Sequence, residues 1–224
     1  MLNIFKPILA GATLPDRLIA SLGAAIAIAL TIVVCAGLPL SPLDLPIIVA
    51  PLGASAVLVF AVPSSPLAQP WAVVGGNTIS TLIGVWAFNL FPDITLAAGV
   101  AVGGAILVMS LLRCLHPPGG AAALTAVIGS QGIHAAGYSF AFAPVAINSI
   151  ALVSIAMFFH RMTTHSYPHV PALTPEPRVP RAFHSSDIDA ALEDMHESFD
   201  ISREDIEVLL AHVERHALMK SQRR

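Results

Sequence analysis

The sequence predicts an all-α, polytopic membrane helix bundle carrying a short helical cytosolic tail. Of its 224 residues, 55% are hydrophobic and only 11% charged, whereas soluble domains hold roughly 25% charged residues. Apolar runs recur at the length a hydrocarbon core demands, about 20 helical residues. Between Leu18 and Leu112 the only formal charges are Asp44 and Asp93, both set beside prolines as loop residues are. The net charge of −3 offers no basic surface for nucleic acid, and the bilayer is the first partner the composition implies.

Residues 1–16 read as an N-terminal cytosolic segment. Pro7, Gly11 and Pro15 interrupt it, and no small-residue cleavage site follows an apolar core, so no removable signal peptide is expected. A transmembrane domain over 17–164 holds six apolar segments, at about 17–38, 45–62, 71–91, 94–112, 117–131 and 138–160. The first, third, fourth and sixth are long enough to span. The second is marginal and the fifth short, so each is expected to be a broken span or a re-entrant half-helix. In the fifth, Pro117 and Pro118 remove two amide donors and clash with any preceding turn, yet fit the first turn of a new helix. A residue before proline is driven toward extended backbone, which makes 113–116 a non-helical connector. Such backbone is tolerated at membrane depth only where it is buried in protein or lines a watery cavity.

After the last span, Pro168, Pro171, Pro175, Pro177 and Pro180 mark 165–181 as a stiff extended linker. An acidic helical tail over 182–224 follows. Its first helix is expected at about 187–198, capped by Ser186, with Ile188, Leu192 and Met195 on one face. Its second, at about 203–219, opens on a capping box of Ser202 and Asp205 and carries a stripe of Ile206, Leu209, Leu210 and Val213. A hairpin of this size buries little alone, and is expected to pack on the membrane body or on a neighbouring subunit.

The two halves of the membrane domain resemble each other. Pro51-Leu52-Gly53-Ala54-Ser55 aligns with Pro117-Pro118-Gly119-Gly120-Ala121, Asn77 with Asn148, and more weakly Gly23 with Gly99. These matches occur in one order and predict a duplicated three-segment unit, 17–92 and 93–162. Positive residues favour the cytoplasmic face. Six crossings with the N-terminus inside put Lys6, Arg17, Arg113, Arg161 and the tail inside, and Asp44, Asp93 and a neutral 132–137 loop outside. Four crossings with two re-entrant loops would put Arg113 outside. Six crossings, three per unit, make the repeats inverted, a plan that places transporter sites near the midplane.

If the second and fifth segments each start a helix within the membrane, their amino ends at Pro51, Leu52, Gly53 and at Pro117, Pro118, Gly119, Gly120 approach the centre from opposite faces. Helix amino ends present unpaired amides and about half a positive charge. Glycines would let an ion approach the backbone, and Ser55, Asn77, Thr125 and Asn148 would add neutral donors. A site without a buried cation suits a small, weakly hydrated monovalent anion. The competing reading, that small residues merely let helices pack closely, is preferred for Gly103 and Gly104.

His116 is the only histidine near the broken segment, and intramembrane ionisable groups are functional candidates. It either gates or hands a proton to a co-transported anion, or it stays neutral and caps a neighbouring helix. Arg113 either draws anions to the inner mouth or anchors its helix at the headgroups. Cys35 and Cys114 read as small apolar packing residues. His212 and His216, one turn apart, lack a third metal ligand and read as a solvated face, so no metal or cofactor is expected. No nucleophile elbow, phosphate loop or carboxylate pair marks the membrane body, and the protein is not expected to be an enzyme.

His116-Pro117-Pro118, with Pro51-Leu52-Gly53-Ala54-Ser55-Ala56, Ser65-Pro66-Leu67-Ala68-Gln69-Pro70 and Gly75-Gly76-Asn77, resembles the pattern of the HPP family of integral membrane proteins over about residues 15–165. Plastid and cyanobacterial-type members of that family are implicated in nitrite transport, so the resemblance implies a small-anion permease. Family members are usually described as four-spanning, which re-entrant second and fifth segments would reconcile with six apolar runs. Many bacterial members continue into paired CBS modules; this sequence reaches Arg224 in what resembles the acidic linker to them, as either a truncated or a naturally short form, and adenine-nucleotide regulation is not expected of it. The expectation is a homo-oligomeric channel or carrier for nitrite, multi-pass in a bacterial plasma membrane with both termini cytoplasmic. The alternative is a non-transporting scaffold or sensor whose tail recruits a partner.

Overall fold

A computed structural model of the chain describes residues 13–37, 45–163, 166–171, 184–195 and 199–221. Every regular element among them is helical: α1 (Leu14–Ala36), α2 (Pro51–Ala61), α3 (Pro70–Leu90), α4 (Ile94–Leu111), α5 (Pro117–Ile128), α6 (Gln131–Ala136), α7 (Ile147–His160), α8 (Ser185–Met195) and α9 (Arg203–Ser221). Four apolar runs are long enough to cross a membrane: α1, α3, α4 and the stretch Ala141–His160. α2 and α5 have 11 and 12 residues. At about 1.5 Å per residue each reaches roughly half of a hydrocarbon core. Asp44, Lys6, His165 and most of the proline-rich linker lie outside the described residues.

Helix starts follow local chemistry. α1 begins earlier than the apolar run predicts, because Thr13 and Asp16 close a capping box around Pro15: the Asp16 amide donates to Thr13 Oγ1, and the Thr13 amide to Asp16 Oδ2. α4 ends at Leu111, and two residues on Arg113 turns the chain with a left-handed φ of 55°. The Cys114 amide then bonds the Met109 carbonyl at 2.9 Å and the Arg113 amide that of Ser110 at 3.2 Å. This closure normally uses glycine. It produces the non-helical connector expected at 113–116. Arg113→Gly is expected to raise stability by about 1 kcal/mol, read as a higher thermal midpoint in detergent.

The expected 132–137 loop is instead the short helix α6, capped by Ser130 Oγ and ended by Gly137 at φ 54°. The last apolar run is broken near its start: Ala143 is extended at φ −130° and ψ 110°, as the following Pro144 requires.

The body consists of two three-helix groups. α1, α2 and α7 pack together around Ala27, Leu52, Val59, Phe60, Leu152 and Ala156. α3, α4 and α5 pack around Ala87, Ala101, Ala105, Met109, Ala123 and Val127. The first helix of each group buries a narrow stripe at every fourth residue, Gly23, Ala27, Thr31 and Cys35 in α1 and Ala97, Ala101, Ala105 and Met109 in α4. Small residues at this spacing allow close backbone approach in membranes. The suggested pairing of Gly23 with Gly99 fails here. A Cβ on Gly23 would stand 2.6 Å from Phe60, whereas Gly99 has nothing within 4 Å.

Contacts also fix which helix ends lie toward the same side. Gly23 of α1 meets Phe159 of α7. Trp71 Nε1 at the start of α3 donates to the Leu112 carbonyl at the end of α4. Tyr167, just after α7, donates to the Ala68 carbonyl just before α3. The start of α1 and the ends of α4 and α7, with Arg17, Arg113 and Arg161, therefore share one end of the bundle.

The tail grips that end. Ser65 Oγ donates to Asp200 Oδ1 at 2.6 Å, Tyr167 O–H to the Ala68 carbonyl at 2.9 Å, and the His169 amide to Gln69 Oε1 at 2.9 Å. Burial raises the Tyr167 phenol's pKa and keeps it a donor. His169 also pairs with Asp205 of α9 at 3.0 Å. Tyr167→Phe is expected to cost about 1 kcal/mol and to speed amide exchange over residues 199–221.

Within the tail the Ser202 and Asp205 cap forms as expected. Ser186 is not a cap: α8 starts at Ser185, two residues earlier than expected, with the His184 amide held by Asp187 Oδ2 at 2.7 Å. Ile188 is buried and Leu192 half-buried, while Met195 is exposed. In α9, Ile206 and Leu210 are half-buried while Leu209 and Val213 face outward, so the predicted stripe is divided. Arg203 binds Asp189 of α8, with Nη2 2.8 Å from Oδ2. Hydrogen bonding to Arg203 holds the Asp189 carboxyl below its ordinary range. A lowered carboxylate pKa stabilises contact above its unfolded value and loses that contribution as pH falls through the folded value. Acidification below about pH 4 is therefore expected to loosen α8 from α9, seen as faster exchange in α8 that Asp189→Asn reproduces at neutral pH.

Candidate functional site

The site grows from a close approach between α3 and the connector before α5. A Cβ on Gly76 would stand 2.5 Å from His116 Cβ and 2.8 Å from the Cys114 carbonyl. Only glycine lets the connector lie there. His116, extended at φ −140° and ψ 107° because Pro117 follows, caps α5 by position and is 0% exposed. Its Nδ1 lies 2.8 Å from the Leu67 carbonyl and its Nε2 2.8 Å from Ser55 Oγ of α2.

These contacts determine the proton arrangement. A carbonyl only accepts, so Nδ1 carries the proton and Nε2 of the neutral ring is a bare acceptor. Ser55 must then donate to Nε2, and its oxygen is left to accept. Asn77 Nδ2 supplies that bond at 3.1 Å, and donates also to Ser149 Oγ of α7 at 3.2 Å. The chain Asn77, Ser55, His116, Leu67 thus runs in one direction, donor to acceptor. It joins α2 and α7 of one helix group to α3 and the α5 connector of the other.

No formal charge enters this network. The described charged residues of the body are Asp16 in its own helix cap and the exposed Arg17, Asp93, Arg113 and Arg161. Two buried polar atoms beside it, Asn77 Oδ1 and Ser80 Oγ, have no hydrogen-bond partner.

The model of the HPP transmembrane region matches residues 10–168. The chain belongs to the HPP transmembrane family. It is an integral, multi-pass membrane protein. It is similar to a transmembrane protein of Dictyostelium discoideum, 32% identical over 127 residues, which is 54% of this chain and 44% of that protein. A second Dictyostelium discoideum transmembrane protein is 37% identical over 108 residues, 46% of this chain and 34% of that protein. The matched region therefore spans less than half the length of these curated relatives. No solved structure gives a match.

Three of the HPP chain's expected site residues, Ser55, Asn77 and His116, come together, and the Pro51 carbonyl lies 3.3 Å from Ser55 Oγ. Asn148 sits apart and is fully occupied. Its Oδ1 accepts from the Val49 amide at 3.0 Å, and its Nδ2 donates to the Ile47 carbonyl and Cys35 Sγ, each at 3.0 Å. It holds the non-helical bend before α2 in place. Pro118 is buried and Gly119 packs tightly, since a Cβ there would stand 2.7 Å from Ser80 Oγ.

The others lie away from the network. Gly53 is exposed with nothing within 4 Å of its Cβ position, Pro117 is exposed, and Gly120 reaches only Val102 at 4.0 Å. Thr125 spends its hydroxyl on the Ala121 carbonyl. The expectation of open amides also needs correction. Pro51, Pro117 and Pro118 have none, the Leu52 and Gly53 amides bond the Val49 and Ala50 carbonyls, and the Gly119 amide bonds the His116 carbonyl at 2.8 Å. The helix ends contribute dipole more than free donors.

Ser149, Ser80, Gly76 and the Leu67 carbonyl were not singled out as site residues. Ser149 follows Asn148 directly and Ser80 lies one turn beyond Asn77, so a helical-face reading of Asn77 would have reached Ser80. A backbone carbonyl such as that of Leu67, in the single 3-10 turn Pro66–Ala68, leaves no signal in side-chain chemistry.

Proposed function

We propose that this HPP protein is a channel or secondary carrier for a small monovalent anion, with nitrite favoured. The observation that carries the reading is the buried, charge-free polar network joining the two helix groups where the first turn of α2 meets the start of α5. In transporters built from inverted repeats, substrate sites lie at the repeat interface beside discontinuous helices. The helix groups support such a repeat. α3 joins α4 and α5, while α7 joins α1 and α2, so each unit lends its third helix to the other.

We infer six passes, with the second and fifth completed by non-helical backbone before α2 and α5. Arg17, Arg113 and Arg161 at one end of the bundle favour that end, with both termini, as the cytoplasmic one. We place the protein as a homo-oligomer in a bacterial plasma membrane. The two short helices run in opposite senses in this scheme, and their amino-end dipoles favour negative charge at the network. Ser55 and His116 have the polarity of a nucleophile and base. Yet Ser55 Oγ also accepts from Asn77, and the nearby amides of Leu52, Gly53 and Gly119 are engaged, so these three do not serve as oxyanion donors. Transport therefore fits better than hydrolysis.

A scaffold is the second reading, favoured by Leu209 and Val213 facing outward on α9. Nitrite uptake into vesicles separates the two. The parent is expected to exceed protein-free vesicles, and Gly119→Leu, which would force α5 off Ser80, to lose that excess. Uptake by Gly119→Leu equal to the parent's would sink the transport reading.

A further inference from the structure

Asn77 Oδ1 and Ser80 Oγ are buried, with their residues 1% and 0% exposed, and neither has a partner. An unpaired buried polar group is costly; of the four such atoms among the described residues, Thr31 Oγ1 and Thr78 Oγ1 are threonine hydroxyls elsewhere, and only Asn77 Oδ1 and Ser80 Oγ lie beside the network. The orientation of the Asn77 amide follows from the network. Leu67 fixes the proton on His116 Nδ1, Ser55 therefore donates to Nε2, and Ser55 needs a donor from Asn77. Turning the amide would set its oxygen against the Ser55 oxygen, whose single proton is directed to His116 Nε2 at 2.8 Å, with the Pro51 carbonyl at 3.3 Å its other acceptor. Asn77 Oδ1 is thus an acceptor facing away from both serines it contacts through Nδ2. Ser80, three residues on, shares that face of α3. It lies against the start of α5 at Gly119.

We propose that Asn77 Oδ1 and Ser80 Oγ form a subsite for the protonated substrate, so that the species crossing is a neutral weak acid such as nitrous acid rather than the bare anion. This rests on the transport reading above. A bare anion brings only acceptors, offers nothing to Asn77 Oδ1, and enters an interior where no described cation pairs with it. The acid O=N–O–H matches both open groups: its hydroxyl donates to Asn77 Oδ1 and its other oxygen accepts from the Ser80 hydroxyl. The proton travels with the substrate, so no group of the protein changes its protonation over a cycle. The titratable side chains around the pair are His116, whose two ring nitrogens are engaged, and Cys114 on the same connector. The packed elements otherwise present Ser55, Met109, Gly119 and Ser149.

The test uses the full chain in vesicles containing potassium and valinomycin, with protein-free vesicles subtracted. At constant total nitrite, protein-dependent influx is expected to fall about tenfold per unit from about pH 5 to about pH 8, following the protonated fraction. It should be indifferent to the sign of the imposed potential, and nitrate, the anion of a strong acid, should not enter. Ser80→Ala breaks no existing hydrogen bond, so it should keep the parent's thermal midpoint while losing influx severalfold. Influx that follows the potential, ignores pH or admits nitrate equally would overturn the neutral-acid subsite while leaving anion transport standing. A plateau at the titration of a protein group, or unchanged influx in Ser80→Ala, would also overturn it. No protein-dependent influx of either anion would overturn the transport reading and the subsite with it.

Discussion

His116→Ala is expected to lower stability by on the order of 3 kcal/mol and to remove protein-dependent nitrite flux. The loss has three parts. The ring makes two buried hydrogen bonds, to Leu67 and Ser55. Interhelical hydrogen bonds in membranes average only about 0.6 kcal/mol, with a maximum near 1.7. Removing the ring also leaves the Leu67 carbonyl without that donor and opens a cavity between α3 and the 65–70 loop, and cavity terms usually exceed the hydrogen-bond terms. His116→Asn distinguishes the parts. Its amide can replace Nδ1 as donor to Leu67 while leaving Ser55 only the longer bond to the Pro51 carbonyl, at 3.3 Å. It should recover part of the stability and little of the flux. Thermal midpoints in detergent, read beside uptake, check this; a midpoint for His116→Ala equal to the parent's would contradict the network.

Gly84→Ala should be nearly as damaging, although it adds one methyl group. That Cβ would stand 2.3 Å from the Ala123 carbonyl and 2.9 Å from Ala126 Cβ. Backbone faces it, so no side-chain rotation relieves the clash and α3 must part from α5. Overpacking of this kind costs about 1–3 kcal/mol or more. The same displacement carries Gly119 away from Gly76 and Ser80, so flux should fall with stability. Gly103→Ala is the control. It lies on α4 with nothing within 4 Å, and its change should stay within about 0.5 kcal/mol. Equal midpoints for the two variants would mean that α3 and α5 are not packed as described.

Much of the fold was legible because membrane burial writes itself in composition and length. The four long spans follow from apolar runs, and the start of α5 follows from what two prolines do to a backbone. The exact ends were less legible. Thr13 and Asp16 extend α1 by local capping, and the left-handed turn at Arg113 sits where glycine is usual, so side-chain identity gave no cue.

At the site, Ser55, Asn77 and His116 could be named because polar groups stand out in an apolar stretch. Their mutual bonds could not, since these depend on how two distant helix groups meet. The glycines divided by packing rather than by sequence. Gly53 and Gly119 occupy equivalent places beside prolines, yet one faces outward and the other sits against Ser80. The difference comes from neighbours in space, which spacing along the chain does not reveal.

In the proposed function, the network at the junction of the two helix groups passes nitrite. Nitrite influx into vesicles containing the full chain, compared with Ser55→Ala of matched thermal midpoint, tests it most directly. Influx well above protein-free vesicles in the parent, reduced at least about tenfold in Ser55→Ala, a loss of roughly 1.4 kcal/mol in barrier terms, is the predicted result. A folded parent no faster than empty vesicles, or a Ser55→Ala as fast as the parent, would contradict it.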